Sequence, residues 1–118
     1  MILAQGEGIS NYNKIWIEDL NQLIEKSLHK TSFRVDDLVE PMLVSRTQLY
    51  RKVRKITGLS PNLYIRKFRL ERAKQLLEKQ IYPTVQEVAW AVGFQRADYF
   101  SALYERTYFK RPIDYLKN

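Results

Sequence analysis

Two stretches of this chain carry one apolar pattern, fifty residues apart. Val35, Leu38, Val39 and Met42 stand at i, i+3, i+4 and i+7, and Val85, Val88, Ala89 and Val92 repeat that spacing, which puts each set on one face of a helix. A short break follows each, Leu43-Val44-Ser45 and Gly93-Phe94-Gln95. Then comes a second stripe, Leu49 and Val53 in the first copy, Phe100 and Tyr104 in the second, now 51 residues apart. At that offset Ser60-Pro61 and Tyr64 align with Arg111-Pro112 and Tyr115. The chain therefore reads as two copies of helix, tight turn, helix. No segment alternates apolar and polar residues long enough for a strand.

Start signals divide the chain in the same way. Thr84-Val85-Gln86-Glu87 and Ser45-Arg46-Thr47-Gln48 have the form of capping boxes, and Ser60 precedes a first-turn proline, so helices are expected to begin near 46, 61 and 85. Upstream, Trp16, Ile17, Leu20, Leu23, Ile24 and Leu28 recur at threes and fours, the period of an amphipathic first helix. Between the copies, Ile65, Phe68, Leu70, Ala73, Leu76 and Leu77 give one long helix a broad apolar side, stopped near Ile81-Tyr82-Pro83. The expected fold is all-α, two helix-turn-helix subdomains joined by a long linking helix, with about seven helices including a short one after Pro112. Residues 1–12 read as a linker or an appended remnant and 13–118 as the double unit: first unit 13–60, linking helix 61–80, second unit 81–118.

Composition narrows the function classes. With 118 residues the chain has room for one ordinary core. It has no cysteine and a single histidine, His29, so thiolate metal sites, disulfides and histidine clusters are ruled out. No metal and no cofactor is expected, and no enzyme; a reducing cytoplasm fits. No apolar run approaches the roughly 20 residues of a membrane helix, and MILAQGEG lacks a signal peptide's pattern. Gly6-Glu7-Gly8 has neither the flanking strand nor the third glycine of a dinucleotide loop. Asp36-Asp37 point about 100° apart on a helix and read as first-turn dipole partners rather than as a catalytic pair.

The charge is placed unevenly. The net is +7, but residues 1–45 carry four basic and seven acidic groups, 46–79 eleven and two, and 80–118 five and four. At about 100° per residue, Leu49, Val53 and Ile56 share one arc of the second helix. Arg46, Thr47, Tyr50, Arg51 and Arg54 share another, centred more than a quarter turn away. No acidic residue occurs from Val44 to Leu70, whereas a merely soluble face mixes both signs. Arginine pairs bidentately with a guanine edge, threonine and tyrosine contact bases or phosphates, and Lys52 and Lys55 flank the arc where phosphates lie. In the second copy the matching positions are Ala97, Asp98, Ser101, Ala102 and Glu105, with Arg96, Arg106, Lys110 and Arg111 nearby. Base reading, phosphate docking and no docking all remain open for that face. Double-stranded DNA is the expected partner; an acidic protein is the competing one, distinguished by the salt dependence of DNA binding.

These residues resemble the AraC/XylS family of transcription regulators over about Trp16 to Leu116. The likeness rests on Ser45-Arg46-Thr47-Gln48-Leu49-Tyr50-Arg51-Lys52-Val53, Gly58-Leu59-Ser60-Pro61, Arg69-Leu70 with Ala73 and Leu76-Leu77, and Val88-Ala89 with Val92-Gly93-Phe94 and Tyr99-Phe100. It implies sequence-specific DNA binding for transcription regulation, with recognition helices at about 46–56 and 97–107 in successive major-groove segments; the stronger face of 46–55 against that of 96–106 makes the first unit the expected dominant one. The implied base contacts are Arg46, Thr47, Tyr50 and Arg51 in the first copy and Gln95, Arg96, Asp98 and Ser101 in the second. Ser45, Lys52, Arg54, Lys55 and Arg106 are expected to hold phosphates. RNA polymerase and a sensor or receiver region of a longer regulator are the other implied partners, with no membrane contact. Leu43 stands where the family has a turn glycine, Pro41 interrupts the preceding helix, Phe109 and Arg111 replace a glycine and a serine, and Ala102 replaces a frequent basic residue.

Overall fold

Helix starts in the computed structural model, which describes residues 10–116, follow the capping signals closely. α1 is Asn11–Ser27, α2 Arg46–Thr57, α3 Pro61–Glu78, α4 Val85–Ala91, α5 Ala97–Tyr108 and α6 Pro112–Tyr115, with a 3₁₀ helix at Val35–Leu38. Among the described residues there are thus six α-helices, one 3₁₀ helix and no strand. Ser45 and Gln48 form the reciprocal box: the Ser45 hydroxyl accepts the Gln48 N–H at 3.1 Å and the Gln48 side chain accepts the Ser45 N–H at 2.8 Å. Thr84 accepts the Glu87 N–H at 3.2 Å, and Ser60 accepts the Leu63 N–H at 3.3 Å. Each satisfies a donor that a helix start otherwise leaves open.

The first helix starts earlier than its apolar stripe. Ser10 accepts the Asn13 N–H at 3.1 Å, so Asn11 and Tyr12, expected in a linker, form the first turn of α1. Residues 1–9 of that linker lie outside the described residues.

The two repeat copies differ where Pro41 intervenes. Val85–Ala91 is α-helical, but the matching segment is helical only over Val35–Leu38 and goes on as turns through Leu43. Proline has no N–H to return to the carbonyl four residues back, and its ring crowds that carbonyl. The apolar face survives the change, because Val35 and Leu38 remain buried. Both copies then end in the same reversal. Val44 N–H bonds to Val39 O and Leu43 N–H to Glu40 O; fifty residues on, Phe94 N–H bonds to Ala89 O and Gly93 N–H to Trp90 O. This is the Schellman arrangement, whose pivotal residue takes a left-handed conformation. Leu43 is there at φ 56° and Gly93 at φ 89°.

The chain forms two compact units, and α3 contributes to both: residues through Phe68 belong to the first, and Arg69 onward, with Leu28–Ser32, to the second. The first buries Trp16, Ile17, Leu20 and Ile24 of α1 with Leu49, Val53 and Ile56 of α2 and Tyr64, Ile65 and Phe68 of α3. There the Tyr64 hydroxyl donates to Asn21 Oδ1 at 2.8 Å, which pairs two polar groups that would be costly to bury alone. The second has its core in Leu70, Ala73, Leu77, Val88, Ala89, Val92, Phe94, Phe100, Leu103 and Tyr104. In each, the helix after the turn is held by its apolar stripe and presents its other side to solvent.

Candidate nucleic-acid interface

Three buried residues fix the orientation of α2. Leu49, Val53 and Ile56 face the first core, so Arg46, Thr47, Arg51, Arg54 and Lys55 are exposed and Tyr50 is half-buried. Ser45 is the N-cap, which leaves its exposed backbone and hydroxyl at the head of the same face. The sequence-expected arc therefore exists as one surface, with the first-turn N–H groups of α2 at its head, where the helix dipole favours an anion. Gly58 closes the helix in the left-handed conformation at φ 78°, its N–H on Arg54 O.

Two members of this set are engaged by neighbours that the repeat pattern did not reveal. Lys52 turns toward α1, its ammonium 4.0 Å from the Tyr12 ring centroid and 4.8 Å from that of Trp16, a cation–π seat on the flank of the arc. Arg46 Nε lies 3.5 Å from Asp36 Oδ1, and its guanidinium lies over the Tyr50 ring at 5.4 Å. The Tyr50 side chain and then the Asp36 carboxylate hold Arg46 more firmly protonated than an ordinary arginine. Asp37, by contrast, accepts the Arg34 N–H at 2.8 Å, a local cap.

The second unit brings together Gln95, Arg96 and Asp98 at the head of α5, all exposed, with Ser101 half-buried one turn on and Arg106 exposed in the last turn. The turn is braced from α4: Trp90 Nε1 donates to Gln95 O at 3.2 Å and Gln86 Nε2 to the same oxygen at 3.4 Å. Arg96 Nε and Nη2 donate to Asp98 Oδ1 and Oδ2 at 3.1 and 2.6 Å. The pairing raises the arginine's pKa and lowers the aspartate's. Lys110 lies 3.9 Å from the Tyr115 ring centroid, and Arg111 is bound to Asp114 through two bonds, at 3.1 and 2.8 Å.

Arg69 braces the second turn from within. Its side chain is buried and Nη1 donates to both Leu28 O and Val92 O at 2.6 Å, so it fixes the residue just before the turn of the second unit. Burial lowers its pKa. A Cβ on Gly93 would collide with this guanidinium and with the Leu28 carbonyl, which explains a glycine here beyond its φ. The sequence marked Arg69 only as part of a family motif; a lone arginine among the apolar positions of α3 was the available signal.

A family description of a helix-turn-helix domain matches residues 38–118. The chain belongs to the AraC-type helix-turn-helix family. It is 35% identical over 100 residues to the HTH-type transcriptional regulator MtrA of Neisseria gonorrhoeae, covering 83% of this chain and 33% of that protein. Its fold matches an AraC-type transcriptional regulator from Chromobacterium violaceum with TM-score 0.80 at 25% identity, covering 91% and 94% of the two chains. It also matches the DNA-binding domain of AdpA, solved in complex with a target DNA, with TM-score 0.75 at 29% identity over 86% and 88%. The domain is thus of the DNA-binding type found in transcription regulators. The chain spans about a third of the length of MtrA. No helix among the described residues is long and apolar enough to cross a membrane.

Proposed function

We propose that this domain binds double-stranded DNA sequence-specifically through α2 and α5, which enter successive major-groove segments, and that α2 dominates the reading. The observation that carries this is the exposed face of α2. It holds Arg46, Thr47, Arg51, Arg54 and Lys55, opposite the buried Leu49, Val53 and Ile56, in a run from Val44 to Leu70 without one acidic side chain. Arg51 and Thr47 read base edges, joined by Tyr50 and Arg46. Ser45, Arg54 and Lys55 hold phosphates, with Lys52 serving from the flank. On α5 the reading falls to Gln95, Arg96 and Ser101, while Arg106 supports the backbone. The role is binding, not catalysis, and no cofactor is required. RNA polymerase is the further partner that a regulator of this type engages when bound.

Arg51→Ala tests the assignment. Affinity for a selected duplex should fall by roughly 1–3 kcal/mol, with preference relaxed at one base pair. An equal loss on every duplex would make Arg51 a phosphate contact. An absence of binding even at low salt, where counterion release favours basic readers most, would end the DNA reading.

A further inference from the structure

The ion pair at the head of α5 is built in a way that selects one kind of DNA contact. Arg96 is the N-cap, with an extended backbone at φ −118° and ψ 127°, and its side chain makes no cap bond. Residues two apart inside a helix do not face each other; the extended N-cap lets Arg96 reach Asp98. The aspartate takes one edge of the guanidinium, Nε at 3.1 Å and Nη2 at 2.6 Å, and is itself fixed by the Tyr99 N–H on Oδ1 at 2.8 Å. Of the five donors on an arginine, three then remain: both hydrogens of Nη1 and one of Nη2. The Nη1 and Nη2 pair is the end of the fork that spans guanine O6 and N7.

We propose that Asp98 is not a base contact but a positioning residue, which presents Arg96 end-on as the guanine reader of the second unit. This rests on the DNA-binding reading above. Charge supports the choice between bases and phosphates: a carboxylate locked to the guanidinium cancels much of the field that a phosphate would feel, while leaving the directional donors that a guanine edge requires. Arg46 provides the contrast, since its contact with Asp36 is longer, Nε to Oδ1 at 3.5 Å. Both members of the Arg96 pair are about 70% exposed (74% and 67%), so the pair stands where DNA would meet it.

The test uses the full chain and a duplex selected from a random-sequence pool, with every base pair facing α5 substituted in turn. The wild-type chain should prefer guanine at one of those positions by at least about tenfold. Asp98→Ala and Asp98→Asn should both abolish that preference, while affinity for mixed-sequence DNA rises and its salt slope steepens by about one. In an Arg96→Ala background, Asp98→Ala should change no base preference further, although affinity for mixed-sequence DNA still rises as the carboxylate is lost. A guanine preference that survives both Asp98 variants would overturn the proposal, as would a change in preference at another base pair, where Asp98 itself would then accept from an amino group. Arg96→Ala leaving every preference intact would overturn it too. If the wild-type chain binds no duplex at low salt, the DNA-binding reading falls, and this one with it.

Discussion

Leu43 and Gly93 occupy one position of the repeat and give opposite expectations. Both are left-handed, at φ 56° and 89°, but Leu43 is 92% exposed, whereas a side chain at 93 has no room beside Arg69 and Leu28 O. A left-handed L-residue costs roughly 1–2 kcal/mol, partly offset by the extra unfolded-state freedom of glycine. Leu43→Gly should therefore stabilise by roughly 0.5–1 kcal/mol, and Gly93→Ala should destabilise by about 2 kcal/mol or more, in denaturant titrations of the full chain. A destabilising Leu43→Gly would mean that the exposed side chain makes a contact the fold needs. Phe109 repeats the Leu43 case at the end of α5, left-handed at φ 58° and 90% exposed. The sequence marked both as departures from glycine; the backbone keeps the glycine conformation because the Schellman and C-cap hydrogen bonds at these ends demand it.

At the level of helices, most of the fold was legible. Periodicity located α1 to α5, the repeat's Pro112 placed α6, and the caps at Ser45, Ser60 and Thr84 set the starts of α2, α3 and α4. What escaped was non-local or fine-grained. The same i, i+4 pattern is compatible with an α-helix and with the 3₁₀ turn at Val35–Leu38, and only the consequence of Pro41 decides. The site was legible as a face of α2 but not as a network: Asp36 beside Arg46 and Tyr12 beneath Lys52 are brought close by folding, not by spacing. Arg69 extends this to the join between α3 and the second turn. Arg69→Met should cost roughly 3 kcal/mol, because two buried carbonyls lose a charged donor. Arg69→Lys should restore little of it, since an ammonium lacks the planar fork. A melting curve unchanged in both variants would show that the clamp is dispensable.

Across the whole molecule, the two units share an architecture and differ in chemistry. The second is rich in packed tyrosines: the Tyr104 hydroxyl donates to that of Tyr115 at 2.8 Å, and the Tyr104 and Tyr108 rings lie 4.7 Å apart. Burial pushes Tyr108 up to about 12 and Tyr104 further in the same direction. Since the folded state holds these protons more tightly than the unfolded chain, their contribution is complete below pH of about 10 and is lost as pH climbs through about 12. Stability followed by circular dichroism alongside phenolate absorbance should therefore decline above pH of about 10; a flat profile through pH of about 12 would contradict this.

The first unit instead concentrates positive charge in one run, seven basic and no acidic residues over 46–68, and this asymmetry underlies the claim that α2 leads the reading. Selection of bound duplexes from a random DNA pool by the full chain, followed by base-by-base protection, tests that claim most directly. The expected result is two protected segments one helical turn apart, about 10 base pairs, with the sharper base preferences in the segment lost on Arg51→Ala. Recovery of a pool without sequence preference, or sharper preferences in the segment lost on Arg96→Ala, would contradict it.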